Sequence, residues 1–160
     1  YYLNIYEKLI KINPELKFSS DFIIGYPGEN NADFDDTISL LNKIKFVNSF
    51  SFIFSPRPGT KAANLKITDQ DKLKERLLIV QEKLFQNQID LNKSLEKQTV
   101  EVLVENKLLN QKKYFGRNVY LNSVIFEADE SYIGKIIKVN IEKSNQNSLF
   151  GKIQDNMKAA

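Results

Sequence analysis

Apolar positions change their period twice along the chain, and each period predicts an element. Leu3, Tyr6, Leu9 and Ile10 recur at helical spacing, and Asn13-Pro14 ends that helix because proline drives its predecessor out of the α region. Lys17 to Gly25 is a short apolar run ending in glycine and reads as a buried strand. Asn30 or Asn31 then caps a second helix with Asp33, Asp35 and Asp36 in its first turns, where negative charge suits the helix dipole. Phe34, Ile38, Leu41 and Ile44 form its apolar stripe. Ser49 to Ser55 alternates strictly, with Phe50, Phe52 and Phe54 on one face, which predicts a strand. Strand, helix and strand in this order form a βαβ unit with parallel strands. After the loop S-P-R-P-G-T a long helix opens at Thr68, with Asp71 three residues on in a capping-box-like start. Leu73, Leu77, Val80, Leu84, Leu91 and Leu95 give it an apolar stripe over about 27 residues, long enough for a connector between domains.

From Gln98 the period becomes two. T-V-E-V-L-V-E alternates, and strand-like runs follow at 112–117, 123–127, 133–142 and 148–153. Short strands at such close spacing, separated by polar turns, predict a small five-stranded antiparallel barrel. The fold class is therefore α/β plus all-β, with units at residues 1–96 and 97–155. The first unit is too small to cover both faces of a parallel sheet. It begins at Tyr1, and the sole Met is Met157. A processed product, or a piece of something longer that lacks its N-terminal part, is expected.

Charge sharpens this division. Residues 1–96 carry 13 basic and 13 acidic side chains, whereas residues 97–160 carry 10 and 7, so the whole excess of +3 lies in the last third. Lys107, Lys112, Lys113 and Arg117 form an acid-free stretch. No segment has the roughly 20 apolar residues of a membrane-spanning helix, and the start lacks the layout of a secretory signal; a cytoplasmic protein with no membrane partner is expected. Cys and His are both absent. That excludes disulfides, Cys/His zinc sites, iron–sulfur ligation, a Cys nucleophile and a His-based triad within these residues. No catalytic residue and no metal ligand is assigned.

Three segments carry candidate chemistry. D-F-I-I-G-Y-P-G-E-N (residues 21–30) runs from a strand through a glycine-bearing turn into a helix, where ligands of open α/β sheets bind. Gly25 and Gly28 allow close backbone approach, although a turn that simply needs its glycines explains them as well. Asp21 shares a face with Ile23 and Gly25 and reads as a buried polar residue or a catalytic carboxylate. S-P-R-P-G-T (residues 55–60) holds Arg57 between two prolines, a rigid presentation suited to phosphate or carboxylate; a salt bridge to a neighbouring acid is the alternative. In the third segment Lys112, Lys113 and Arg117, interleaved with Tyr114, Phe115 and Tyr120, suit nucleic acid. Neighbours in a strand face opposite ways, so at most one of Tyr114 and Phe115 fills the barrel.

Together these segments resemble the MiaB-type tRNA methylthiotransferases, which are radical S-adenosylmethionine enzymes. The resemblance runs through S-S-D-F-I-I-G-Y-P-G-E (residues 19–29), F-S-F-I-F-S-P-R-P-G-T (50–60), E-R-L (75–77), T-V-E-V-L-V-E (99–105), G-R-N-V-Y-L (116–121), I-G-K-I-I-K-V (133–139) and N-S-L-F-G (147–151). It implies that the first unit is the C-terminal part of a partial (βα)6 radical S-adenosylmethionine barrel with a connector helix, and that the second is a TRAM barrel that grips RNA. It implies that Ile23 and Gly25 lie against the adenosyl group, that the backbone after Phe54 holds the adenine edge, and that Arg57 faces the mouth. Lys112, Lys113, Arg117 and Tyr120 would meet a tRNA anticodon stem-loop. The family reaction places a methylthio group on an isopentenylated adenosine beside the anticodon. A radical made by reducing one S-adenosylmethionine takes the hydrogen, and a second supplies the methyl. The family's 4Fe-4S clusters need Cys ligands that these 160 residues lack, so the fragment alone is expected to be inactive. A free-standing, non-catalytic RNA-binding protein is the alternative. A phosphate cradle at G-Y-P-G-E is weaker, because no Lys-Ser/Thr follows the glycines.

Overall fold

A computed structural model describes residues 1–65, 69–109 and 112–154. The chain divides into two compact units, Tyr1–Asn87 and a second beginning at Gln88. In the first, α1 (Tyr2–Ile12) ends where Asn13 turns extended ahead of Pro14. Strand β1 (Asp21–Ile24) leads through the glycine turn to α2 (Asn31–Ile44) and back to β2 (Phe50–Ile53). The strands are parallel, in register from Asp21 opposite Phe50 to Ile24 opposite Ile53. Asn30 is the cap of α2: its Oδ1 accepts from the Ala32 and Asp33 amides while Asp33 accepts from the Asn30 amide, a complete capping box.

One sheet face is covered and the other is bare. Phe22 and Ile24 pack into a core with Phe34, Leu41, Ile44, Phe46, Leu73, Val80 and Leu84. On the opposite face Ile23, Phe50 and Phe52 are 57%, 64% and 54% exposed. Asp21 is exposed with them, so it is not the buried polar residue expected above; with only two strands, nothing among the described residues closes over that face.

The long helix is α3 (Gln70–Ser94), and the side chain of Asp69 caps it by accepting from the Asp71 amide at 2.8 Å. Thr68, where the start was expected, lies outside the described residues. In the second unit β3 (Thr99–Lys107), β4 (Lys113–Asn118), β5 (Ser123–Glu127), β6 (Ile136–Ser144) and β7 (Ser148–Ile153) close into a barrel in the ring order β3-β4-β5-β7-β6. Four neighbouring pairs are antiparallel and β5–β7 is parallel, which corrects the expectation of a wholly antiparallel barrel. The reason is parity: strand directions cannot alternate all the way round a closed ring of five. Val102, Val104, Tyr114, Val124, Phe126, Val139, Ile141 and Leu149 are buried in this unit, as are Leu91 and Leu95 of α3. Register shifts at 104/106 in β3 and 141/143 in β6 mark bulges, which bend strands sharply enough for so small a ring. Gly116 sits where β4 crosses β3 so closely that a Cβ would stand 2.1 Å from the Leu103 carbonyl oxygen. Among the described residues no helix is long and apolar enough to cross a membrane.

Candidate functional sites: a strand-end cavity and a basic barrel face

The turn after β1 depends on two features of its sequence. Gly25 has φ +77°, and a Cβ there would overlap the Leu73 side chain at 2.4 Å, so the position is closed to other residues on both counts. Glu29 then ties the turn together. One of its carboxylate oxygens accepts from the Gly25 amide at 2.9 Å, and the other pairs with Arg76 of α3 at 2.5 Å. Arg76 is only 4% exposed; it also donates to the Asn30 carbonyl and the Asn31 side chain and lies 4.8 Å over the Phe34 ring. A buried, multiply hydrogen-bonded guanidinium therefore fixes both the strand end and the start of α2.

Beside this turn, at the carboxyl ends of β1 and β2, lies a cavity of about 520 Å³ lined by Ile23, Tyr26, Phe52, Phe54, Arg57 and neighbours. Its size falls within the range of small-molecule sites, and its walls are mainly apolar with one cation. Tyr26 and Phe54 meet edge to face at 5.2 Å. Phe54 continues the strand line, its amide donating to the Ile24 carbonyl at 2.8 Å. Arg57 is exposed and makes no salt bridge among the described residues; its carbonyl accepts from the Thr60 amide and hydroxyl, which closes the S-P-R-P-G-T turn. Of the four candidate cofactor contacts, Ile23, Phe54 and Arg57 come together in this cavity. Gly25 is not among its lining residues and shapes the adjacent turn instead.

On the barrel, Lys113 and Arg117 lie on the outer face of β4 with Phe115 between them, while Tyr114 points inward and is 3% exposed. Lys112 directly precedes the strand, and Tyr120 sits half-buried in the β4–β5 turn. Arg117 is held by Glu105 at 3.3 Å and donates to the Leu121 carbonyl at 3.0 Å. Lys152 is paired with Glu142 at 2.7 Å, a hydrogen bond and charge that push its ammonium pKa up. Among the described residues neither Lys112 nor Lys113 forms an ion pair.

Two groups escape sequence reasoning. Arg76 and Glu29 lie far apart in the chain, and the only signal for them was that both fall inside distinctive segments, E-R-L and G-Y-P-G-E. The second group is a buried asparagine network in the barrel unit. Asn122 donates to Asn92 Oδ1, and Asn92 donates to the Asn145 and Gln146 carbonyls. Asn118 Oδ1 accepts from the Tyr120 and Asn122 amides, which sets the β4–β5 turn. Asparagine in a polar stretch reads as loop, so its burial carried no signal.

Residues 93–153 match the TRAM domain family. Over 157 residues, 98% of its length, the chain is 60% identical to a protein of Pelagibacter ubique named tRNA-2-methylthio-N(6)-dimethylallyladenosine synthase. Proteins of the same name from Ruthia magnifica and Wolbachia pipientis are 43% and 41% identical over 91% and 94% of the chain. The chain spans about a third of the length of these relatives, between 33% and 35%, and matches their C-terminal part. The resemblance read from the motifs is thus borne out over nearly the whole chain.

Proposed function

We propose, for a chain that follows the C-terminal part of the tRNA methylthiotransferases and carries their TRAM domain, that it is the cofactor-pocket and RNA-gripping portion of such an enzyme. Its similarity to the Pelagibacter protein over 98% of its length carries this reading. In it, residues 1–96 are the last two strands of a (βα)6 radical S-adenosylmethionine barrel with its connector helix, and residues 97–155 are the TRAM barrel. The bare sheet face of Ile23, Phe50 and Phe52 supports the first part, since that face needs further strands to cover it.

The cavity at the ends of β1 and β2 suits part of S-adenosylmethionine. Ile23 and Phe54 offer apolar walls to a flat adenine ring, the Arg57 fork suits a carboxylate, and Gly25 shapes the turn beside the cavity. When bound, that cofactor supplies the radical chemistry and the methyl group. The 4Fe-4S clusters do not fit this chain, which has no Cys, and their ligands belong to the remaining, N-terminal part of the parent. The barrel's part is to hold the tRNA anticodon stem-loop through Lys112, Lys113, Arg117 and Tyr120. Its net positive charge and the TRAM match support that role, and a cytoplasmic setting goes with a tRNA substrate.

The test is to express the 160-residue chain, and separately the longer reading frame that contains it, in cells lacking their own methylthiotransferase. Nucleosides from total tRNA are then analysed by mass spectrometry. The longer protein is expected to form the 2-methylthio derivative of isopentenyladenosine, and the chain alone none. A longer frame without C-x-x-x-C-x-x-C, or one forming no modified nucleoside while the chain still binds tRNA, would favour a non-catalytic RNA-binding protein.

A further inference from the structure

The outer face of the barrel carries a row of side chains that the basic residues alone do not explain. Phe115 of β4 pairs with Ile125 of β5, Ile125 pairs with Phe150 of β7, and Phe150 pairs with Lys143 of β6. Phe115, Ile125 and Phe150 lie on the outward side of their strands, because the residues alternating with them, Tyr114, Val124, Phe126 and Leu149, are buried, and Lys143, just past the bulge in β6, is exposed. Phe115, Ile125 and Phe150 are nonetheless only part-exposed. Two phenyl rings therefore lie along one row, separated by the width of one strand and so about 10 Å apart. The row is bordered by cations. Lys113 and Arg117 flank Phe115 on β4, and the Lys143 ammonium lies 5.4 Å over the Phe150 ring. Glu105 holds Arg117, whereas Lys113 and Lys143 form no ion pair among the described residues.

Apolar rings beside cations recognise a polyanion that can present a flat π face, which is the chemistry of an unpaired nucleotide stretch. A duplex hides its base faces and offers phosphates, 2′-hydroxyls and base edges, none of which gives a phenyl ring a surface to stack on. The row starts on the second and third strands of the barrel, the strands on which five-stranded Greek-key barrels present oligonucleotide sites, and continues onto the fifth and fourth. Resting on the RNA-binding reading above, we propose that Phe115 and Phe150 form a stacking platform for unpaired RNA bases, with Lys113 and Lys143 on the flanking phosphates. The Lys143 contact with Phe150 is a weak cation–π pair that a stacked base replaces, releasing the ammonium to a phosphate on the same strand. The spacing of the rings matches a stretch on the order of two or three bases.

The chain contains no Trp, so Phe115→Trp introduces a single indole at the platform. Its fluorescence is followed while a 12-nucleotide unstructured RNA, or the same strand annealed to its complement, is added. Anisotropy of labelled RNA gives affinities for the parent chain, for Phe115→Leu/Phe150→Leu, which keeps apolar bulk, and for Lys112→Ala/Lys113→Ala. Thermal melts check that each variant is folded. The platform predicts quenching by the single strand and not by the duplex. It also predicts about a tenfold or larger loss of single-strand affinity in the Leu variant, with the salt dependence unchanged. The lysine variant instead flattens the salt dependence by up to about 1.4 units of slope. Single-strand binding that leaves the indole unquenched, or a Leu variant that binds like the parent while the lysine variant weakens, overturns the platform and leaves the RNA-binding reading intact. Failure of the parent chain to bind either RNA overturns both.

Discussion

Arg76 is the residue on which the first unit's turn chemistry converges. With its partner Glu29 it is almost wholly buried, so removing the guanidinium alone strands a carboxylate away from water. Arg76→Ala is expected to cost about 3 kcal/mol or more in denaturant unfolding, while Glu29→Gln combined with Arg76→Met recovers most of that loss. Equal unfolding midpoints for Arg76→Ala and the parent would show that the pair does not hold the turn. The glycine of G-Y-P-G-E was legible in the sequence, because a strand running into a turn needs a residue tolerant of positive φ. Its second reason, the Leu73 side chain against its Cα, was not, since that contact comes from a helix about 50 residues away. The same holds for Asp21: alternation placed it correctly beside Ile23, but whether that face is covered is a property of neighbouring strands.

Among the elements, the helices and strands followed their periodicities closely, and β5 and β7 match the apolar runs residue for residue. Periodicity describes one strand at a time, however, so the parallel β5–β7 pairing and the two bulges were beyond it. A further link ties the end of α3 to the end of β6. The Glu96 carboxylate accepts from the Ser144 amide at 2.8 Å and from its hydroxyl at 2.7 Å, and these bonds hold its pKa below the ordinary glutamate value of 4.5. A carboxylate whose pKa is lowered by folding contributes stability above its ordinary value and loses it as pH falls through the depressed one. The melting-temperature difference between the parent and Glu96→Ala should therefore be greatest above about pH 5 and shrink on acidification. A difference that stays constant from neutral pH to pH 3 would refute the link.

For the molecule as a whole, the charge asymmetry and the change of period divide the chain at 96/97, whereas the structure divides it within α3, at Asn87/Gln88. A period-based boundary fell later because the helix stripe continues unbroken through Leu91 and Leu95, which are buried in the second unit. Asn92 bonds there to the loop carbonyls of Asn145 and Gln146. A fragment of residues 88–154 is expected to melt cooperatively and at a higher temperature than one of residues 97–154, which lacks these groups. Identical melts would mean that the end of the helix adds nothing to the barrel. The candidate sites were legible as segments, since loops at strand ends and an acid-free aromatic stretch announce themselves. Which members of each segment face one another depended on strand order.

That order has a kinetic consequence. Because β5 pairs with β7 and not with β6, it must wait for a strand that arrives only after β6 has been laid down, and β3 must wait for β6 itself. The meander β3–β4–β5 is thus made first and stays open at both edges, a template for unwanted pairing. Closure of the ring joins residues as distant as Thr99 and Asn140, so it is the slow, non-local event of folding. During synthesis the half-made barrel is the species most exposed to aggregation, and the arrival of β7 ends that exposure.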